Sequence, residues 1–198
     1  MFGGLRMRGI KHCNIVDDPA DALVYSTNVL LNCTGGVGAA LLERYGMKFQ
    51  TELHGILGSR GTRFANRGEV IDHVPAGLPY RHLLHTTPCD GMYDTTPEIV
   101  EDVLSRALAV CTEDPAVRRV AVSALATGFG HLRFDDFLPI AARVFHNLHF
   151  VSLTDIVLCI DDAFVFQLAR DMIQEENLAL EIGAEQFVPP NREQGHGR

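Results

Sequence analysis

Two glycine-rich stretches, Gly35-Gly36-Val37-Gly38-Ala39-Ala40 and Ala126-Thr127-Gly128-Phe129-Gly130-His131, each follow an apolar run that ends in small or polar residues. A strand that feeds a glycine turn and then a helix leaves bare backbone N–H groups at the helix N-terminus. Aligned peptide dipoles and missing Cβ atoms let an anion come close there. Two such turns could hold a diphosphate from both sides. Neither G-x-G-x-x-G nor G-x-x-x-x-G-K-[ST] occurs, which disfavours the dinucleotide fingerprint and the P-loop.

Other side chains that could do chemistry each have a simpler structural explanation. His131, beside the second turn, carries an imidazole that could act as acid or base, or merely line a rim. Asp161-Asp162 follows an apolar run, so either carboxylate could border a cleft, and the pair equally suits the N-cap of the next helix. His82, His85 and Cys89 are close in sequence, yet residues three apart on a strand face opposite sides, which argues against a shared metal ion. No metal and no cofactor is expected.

The elements that must position these residues alternate along the chain. Apolar or β-branched runs predict strands over 21–26, 69–74, 81–87, 117–125 and 156–160. Three- and four-residue spacing predicts helices over 38–45, 47–57, 97–111, 134–148 and 163–173. Strands alternating with helices predict an α/β fold, a three-layer α/β/α sandwich around a mixed, largely parallel sheet. One domain is expected over 1–174, followed by a polar and flexible tail over 175–198.

The chain has 198 residues and a formal net charge of −8, with 46% hydrophobic residues. That length buries a substantial core without staples. The acidic balance makes a nucleic-acid partner unlikely, because phosphate would have to be held by backbone dipoles rather than by a basic surface. Five cysteines, widely spaced and without a C-x-x-C pair, argue against a disulfide framework and suit a reducing, cytoplasmic setting. No apolar signal core and no stretch of membrane-spanning length is read, and the oligomeric state is not legible.

The segment Cys13-Asn14-Ile15, then Asp21-Ala22-Leu23-Val24-Tyr25-Ser26-Thr27-Asn28, then Gly35-Gly36-Val37-Gly38-Ala39-Ala40-Leu41 resembles the opening of a macro domain. That family reads G-D-I, then D-A-I-V-N-A-A-N, then G-G-G-V-x-G-A-I. Gly68-Glu69-Val70, Leu84-His85-Thr86-Thr87-Pro88 and Ala124-Leu125-Ala126-Thr127-Gly128-Phe129-Gly130-His131-Leu132 continue the likeness in order, over roughly residues 9 to 174. Macro domains bind ADP-ribose, and some hydrolyse it from acceptors. The resemblance therefore implies a cleft at the strand C-terminal ends, where ligands of α/β sheets collect. It places Gly35, Gly36, Val37, Gly38 and Ala39 at the diphosphate and distal ribose, with Ala126, Thr127, Gly128, Phe129, Gly130 and His131 closing the other side. Ile15 would line the adenine pocket, Asp161 would border the cleft, and Phe129 would either cover the ribose or diphosphate or pack locally.

The departures from the pattern bear on function. Asn14 stands where the family has an adenine-reading carboxylate, and its amide accepts without charge assistance, so adenine recognition should be weaker. Tyr25 replaces the first asparagine of N-A-A-N, whereas Asn28 keeps the last, the residue that contacts the distal ribose in hydrolytic members and the one catalytic candidate here. Gly38 stands where one hydrolytic subfamily carries a water-activating aspartate, and Ala39 replaces a common glycine. The resemblance leaves open a binder of ADP-ribose or of ADP-ribosylated molecules, and a hydrolase in which Asn28 positions the ribose and substrate phosphate activates water. It also leaves a degenerate domain that serves as a protein-interaction or structural module.

Overall fold

In the computed structural model, which describes residues 7–148 and 155–183, seven strands form one sheet in the order β3-β4-β2-β5-β6-β1-β7. The strands are β1 (Arg8–His12), β2 (Ala22–Ser26), β3 (Glu69–Asp72), β4 (His82–Thr87), β5 (Arg119–Val122), β6 (Asp155–Ile160) and β7 (Glu181–Ile182). The helices are α1 (Gly36–Tyr45), α2 (Met47–Ser59), α3 (Pro97–Glu113), α4 (Phe134–Asn147) and α5 (Ala163–Glu175). Only β3 runs antiparallel to its neighbour, at one edge. The other pairings are parallel, so β1, β2, β4, β5 and β6 point their C-terminal ends to one side.

The three layers follow from the strand period of two. Ala22 and Val24, Val120 and Val122, and Ile156 and Leu158 pack into one core with α3, α4 and α5. The residues between them, Leu23 and Tyr25, Ala121, and Val157 and Cys159, pack into a second core with α1 and α2. Apolar side chains alternate across the inner strands because both faces are buried. Helix starts are written locally. Thr96 caps α3 by accepting from the Ile99 N–H, with Pro97 in the first turn, and Asp162 caps α5 by accepting from the N–H groups of Phe164 and Val165. The second carboxylate of Asp161-Asp162 thus fulfils its structural reading.

Two strands escape the sequence reading. β1 carries little apolar signal of its own and forms because β6 offers it a parallel partner, from Arg8 opposite Ile156 to His12 opposite Ile160. β7 is two residues long and pairs with Gly9 and Ile10 of β1. A Cβ on Gly9 would lie 2.0 Å from the Glu181 carbonyl oxygen, so the two backbones meet only because residue 9 is glycine. The stretch expected as a tail from 175 therefore begins inside the fold: Leu180 is buried and Gly183 donates to the Ile10 carbonyl. Its remainder, 184–198, lies outside the described residues. The strand read over 117–125 is shorter, and 123–125 leave the sheet to begin the second glycine turn. His82 and His85 do face opposite ways: His82 pairs with Asp72 at 2.7 Å, while His85 is buried against Tyr25.

Candidate functional site

The sheet order sets β5 beside β2, and the connection leaving β2 runs to β3 and β4 on one side while that leaving β5 runs to β6 on the other. A crevice opens at such a switch point. Here it is a cavity of about 480 Å³, large enough for a nucleotide-sized ligand. Its walls are the segment 13–15 after β1, the segment 26–38 from the end of β2 into α1, the turn 123–130 after β5, and the segment 159–165 from β6 into α5.

Gly35 is the N-cap residue of α1 and supplies no capping side chain, so the first-turn N–H groups of the helix are left facing a ligand position. Gly36 follows at φ +51°, in the left-handed region that glycine enters at no steric cost. On the opposite wall Ala126 adopts φ +63°, and its N–H donates to Ser26 Oγ at 2.9 Å. Gly130 is required for the same turn. A Cβ there would meet the Ala126 carbonyl oxygen at 2.3 Å and Cys89 Sγ at 2.8 Å. Phe129 reaches across to the first loop, since a Cβ on Gly35 would meet its ring at 2.4 Å. The two glycine turns thus form opposite walls bridged by one exposed aromatic ring, which also rests against Tyr93 with ring centroids 6.1 Å apart.

The loop that carries Asn28 is held by side chains that sequence reading did not single out. Asn28 Oδ1 accepts from the N–H groups of Leu30 and Asn32, and its Nδ2 donates to the Asn32 carbonyl. Gln50 of α2 accepts from the Cys33 N–H and donates to the Leu31 carbonyl, and His54 pairs with Asn32 Oδ1 at 2.9 Å. Asn28 lines the cavity, but its amide organises its own loop. Asn28→Ala is therefore expected to weaken ligand binding through loop geometry, by roughly 1–3 kcal/mol for the hydrogen bonds lost. Unchanged affinity in a titration of the folded variant would show that the loop holds its shape without them.

Of the residues expected at the site, Asn14, Ile15, Asn28, Gly35, Gly36, Val37, Gly38, Ala126, Thr127, Gly128, Phe129, Gly130 and Asp161 line the cavity. Ala39 and His131 do not. Ala39 lies inside α1 between Gly38 and Ala40, both of which line the cavity, and is turned aside from it. His131 lies on the outer rim, where Nδ1 pairs with Asp94 Oδ1 at 2.8 Å and both side chains are largely exposed. Ser26, Thr27, Asn32, Thr34, Tyr93, Ser123, Cys13 and Cys159 also line it. Ser26 and Thr27, which stand in place of the two alanines of N-A-A-N, were the legible signal among these. Thr27 Oγ1 is a buried hydroxyl with no partner among the described residues.

The electrostatics differ between the two ends. At the loop 26–38 end no carboxylate among the described residues lines the cavity. Gly38 is packed so closely that a Cβ would meet the Cys33 Cα at 3.1 Å, so an aspartate there would need the loop to give. At the other end stand Asp161, exposed, and Asp162, occupied as the cap of α5. Asn14 Oδ1 accepts from the Val16 N–H, which turns its NH₂ into the group free to meet a base. Below it Cys13, Asp18 and Cys159 bring one ligand atom each within 4.8 Å of one another. Asp18 is taken by Arg119 at 2.6 Å and by Lys11 at 3.3 Å. Burial pushes the Asp18 carboxyl up, but the Arg119 and Lys11 partners more than offset it and hold it below its ordinary value. A cation would have to displace two resident positive groups, so this trio is a poor metal cradle. The Cys159 thiol likewise holds Cys13 below the usual thiol range against its burial.

Beneath the first wall Tyr25 is fully buried on the α1–α2 side of the sheet, and its hydroxyl meets His85 Nδ1 at 2.6 Å. The residue that replaces the family's first asparagine therefore joins a core network and stays out of the cleft.

Comparisons with known proteins agree with this geometry. The Macro domain profile matches residues 24–141. A mutant of the Oceanobacillus iheyensis macrodomain with ADPR superposes with a TM-score of 0.70 at 16% identity, over 85% of this chain and 92% of that one. The same organism's macrodomain with ADP gives 0.68 at 18%, over 83% and 88%. The Trypanosoma brucei macrodomain in complex with ADP-ribose gives 0.64 at 19%, over 84% and 67%. No curated protein matches the sequence. With a profile match that runs from β2 into α4 and so takes in both glycine turns, the chain belongs to the Macro domain family.

Proposed function

We propose that the cleft binds ADP-ribose, free or attached to an acceptor, with the diphosphate between the α1 N-terminus and the 126–130 turn. The single observation that carries this reading is the pair of facing glycine turns bridged by Phe129, which presents backbone donors on both sides of an otherwise acidic protein. The adenine would lie toward Asn14, Ile15 and Val165, and the distal ribose toward Asn28 and Asn32. The relatives solved with ADPR, ADP and ADP-ribose support this assignment by their shared fold.

Binding without efficient turnover is the form of this function that the site favours. A general base for hydrolysis must reach the water at the distal ribose, and the carboxylates that line the cavity, Asp161 and Asp162, border the opposite end. Calorimetric titration with ADP-ribose, ADP and AMP tests the proposal. ADP-ribose should bind with AMP much weaker, because only the longer ligand engages both turns. Equal binding of all three, or none, contradicts it.

Adenine recognition is expected to be loose. Asn14→Asp should tighten ADP-ribose by roughly 1 kcal/mol, the gain from a charge-assisted acceptor, because the new carboxylate can cap Val16 and still accept from the adenine amino group. Titration of both proteins with ADP-ribose and with its inosine analogue checks this. A wild type that already rejects inosine, with no gain in the variant, would remove Asn14 from base reading.

A further inference from the structure

Nine large apolar side chains are exposed among the described residues, and five of them, Leu30, Phe64, Met92, Tyr93 and Phe129, sit on loops that line the cleft or touch those that do. The loops that carry them touch one another. Phe129 and Tyr93 line the cavity and lie ring to ring, and Met92 precedes Tyr93 in a turn held by Asp90. A Cβ on Gly91 would touch Val29 at 3.9 Å, and the Val29 carbonyl accepts from the N–H of Ala65, beside Phe64. Met92 is 75% exposed, Phe129 69% and Phe64 57%. Single exposed apolar residues are ordinary, but a set carried on touching loops beside a ligand cleft marks an interaction surface.

We infer that this collar docks the polypeptide to which ADP-ribose is attached, taking apolar side chains that flank the modified residue. The inference rests on the proposed ADP-ribose site, because an acceptor joined at the distal ribose must leave the cleft across these residues. Charge selects the class of acceptor. On the rim Arg67 is matched to Asp90 at 3.6 Å and His131 to Asp94 at 2.8 Å. A nucleic-acid acceptor needs a surplus of positive charge to replace its counterions, and an evenly matched rim on a chain of net charge −8 supplies none. An apolar peptide segment instead gains from covering Met92, Phe64 and the outer face of Phe129.

The test compares four ligands by titration: free ADP-ribose, a peptide ADP-ribosylated between leucine and phenylalanine, the same peptide with serine and glycine flanks, and a single-stranded DNA carrying ADP-ribose at its end. The apolar-flanked peptide should bind at least about tenfold tighter than free ADP-ribose, the gain expected from covering two or three partly buried apolar side chains, and the other two conjugates should not. The double variant Phe64→Ser and Met92→Ser, both outside the cavity, should erase that advantage and leave free ADP-ribose unchanged. Equal affinity for both peptides, tighter binding of the DNA conjugate, or a double variant that keeps the advantage overturns the inference while the ADP-ribose site stands. Failure of free ADP-ribose itself to bind wild type overturns both.

Discussion

Gly128→Val is expected to remove ADP-ribose binding, by at least about a hundredfold or ~3 kcal/mol, while the fold persists. Gly128 lines the cleft, no left-handed φ is required of it, and a Cβ there meets nothing within 4 Å. A branched side chain on this lining residue therefore occupies open space without displacing any part of the protein. The other glycines are poorer probes. Gly36 sits at φ +51°, where valine strains the backbone, and Gly130 has no room beside the Ala126 carbonyl. Calorimetry on the variant, with its thermal midpoint as the control for folding, checks the expectation. A folded Gly128→Val protein that binds ADP-ribose like the wild type would place the ligand elsewhere.

The second large effect is a loss of stability in mild acid. Burial pushes His85 down from its ordinary value to about 4, and its two ring nitrogens are occupied by the Tyr25 hydroxyl and the His73 carbonyl. Folded His85 stays neutral where an unfolded histidine, with a pKa near 6.5, takes a proton. The unfolded chain therefore binds more protons between about pH 4 and 6.5, and stability falls as pH drops through that window. The contribution is complete above pH 6.5, and its full loss by pH 4 amounts to about 3 kcal/mol. Denaturant unfolding at pH 7 and pH 4.5 should show that drop. His85→Gln should be less stable at pH 7 and lose less on acidification, since the carboxylates common to both proteins cancel in the comparison. An identical pH slope in the variant would show that another group sets the acid sensitivity. Because Tyr25 directly precedes Ser26-Thr27-Asn28, charging His85 is expected to loosen the cleft wall before the whole domain unfolds.

Much of this organisation was legible because local chemistry wrote it. The alternating apolar runs of β2, β4, β5 and β6, the cap at Asp162, and both glycine turns act through neighbours close in sequence. The departures that the sequence marked also have physical outcomes here: Tyr25 left the cleft for the core, and Gly38 leaves no room for a carboxylate without a shift of the loop. What could not be read depends on distant partners. β1 and β7 exist through pairing with β6 and with each other's backbones, not through propensity. Gln50 and His54 brace the Asn28 loop from a helix turn whose role no spacing announces. Tyr93 enters the cavity from a loop after β4 that carries no motif. The resemblance places Ala39 and His131 at the cleft, but the first is turned aside on α1 between Gly38 and Ala40, and the Asp94 pair holds the second on the rim.

A crystal of the protein soaked with ADP-ribose tests the central claim most directly. The account places density for the diphosphate within hydrogen-bond reach of the first-turn N–H groups of α1 and of the 126–130 turn, beneath Phe129, with the adenine toward Ile15 and the distal ribose toward Asn28. An empty cleft at saturating ligand, or a diphosphate bound away from both glycine turns, would contradict it.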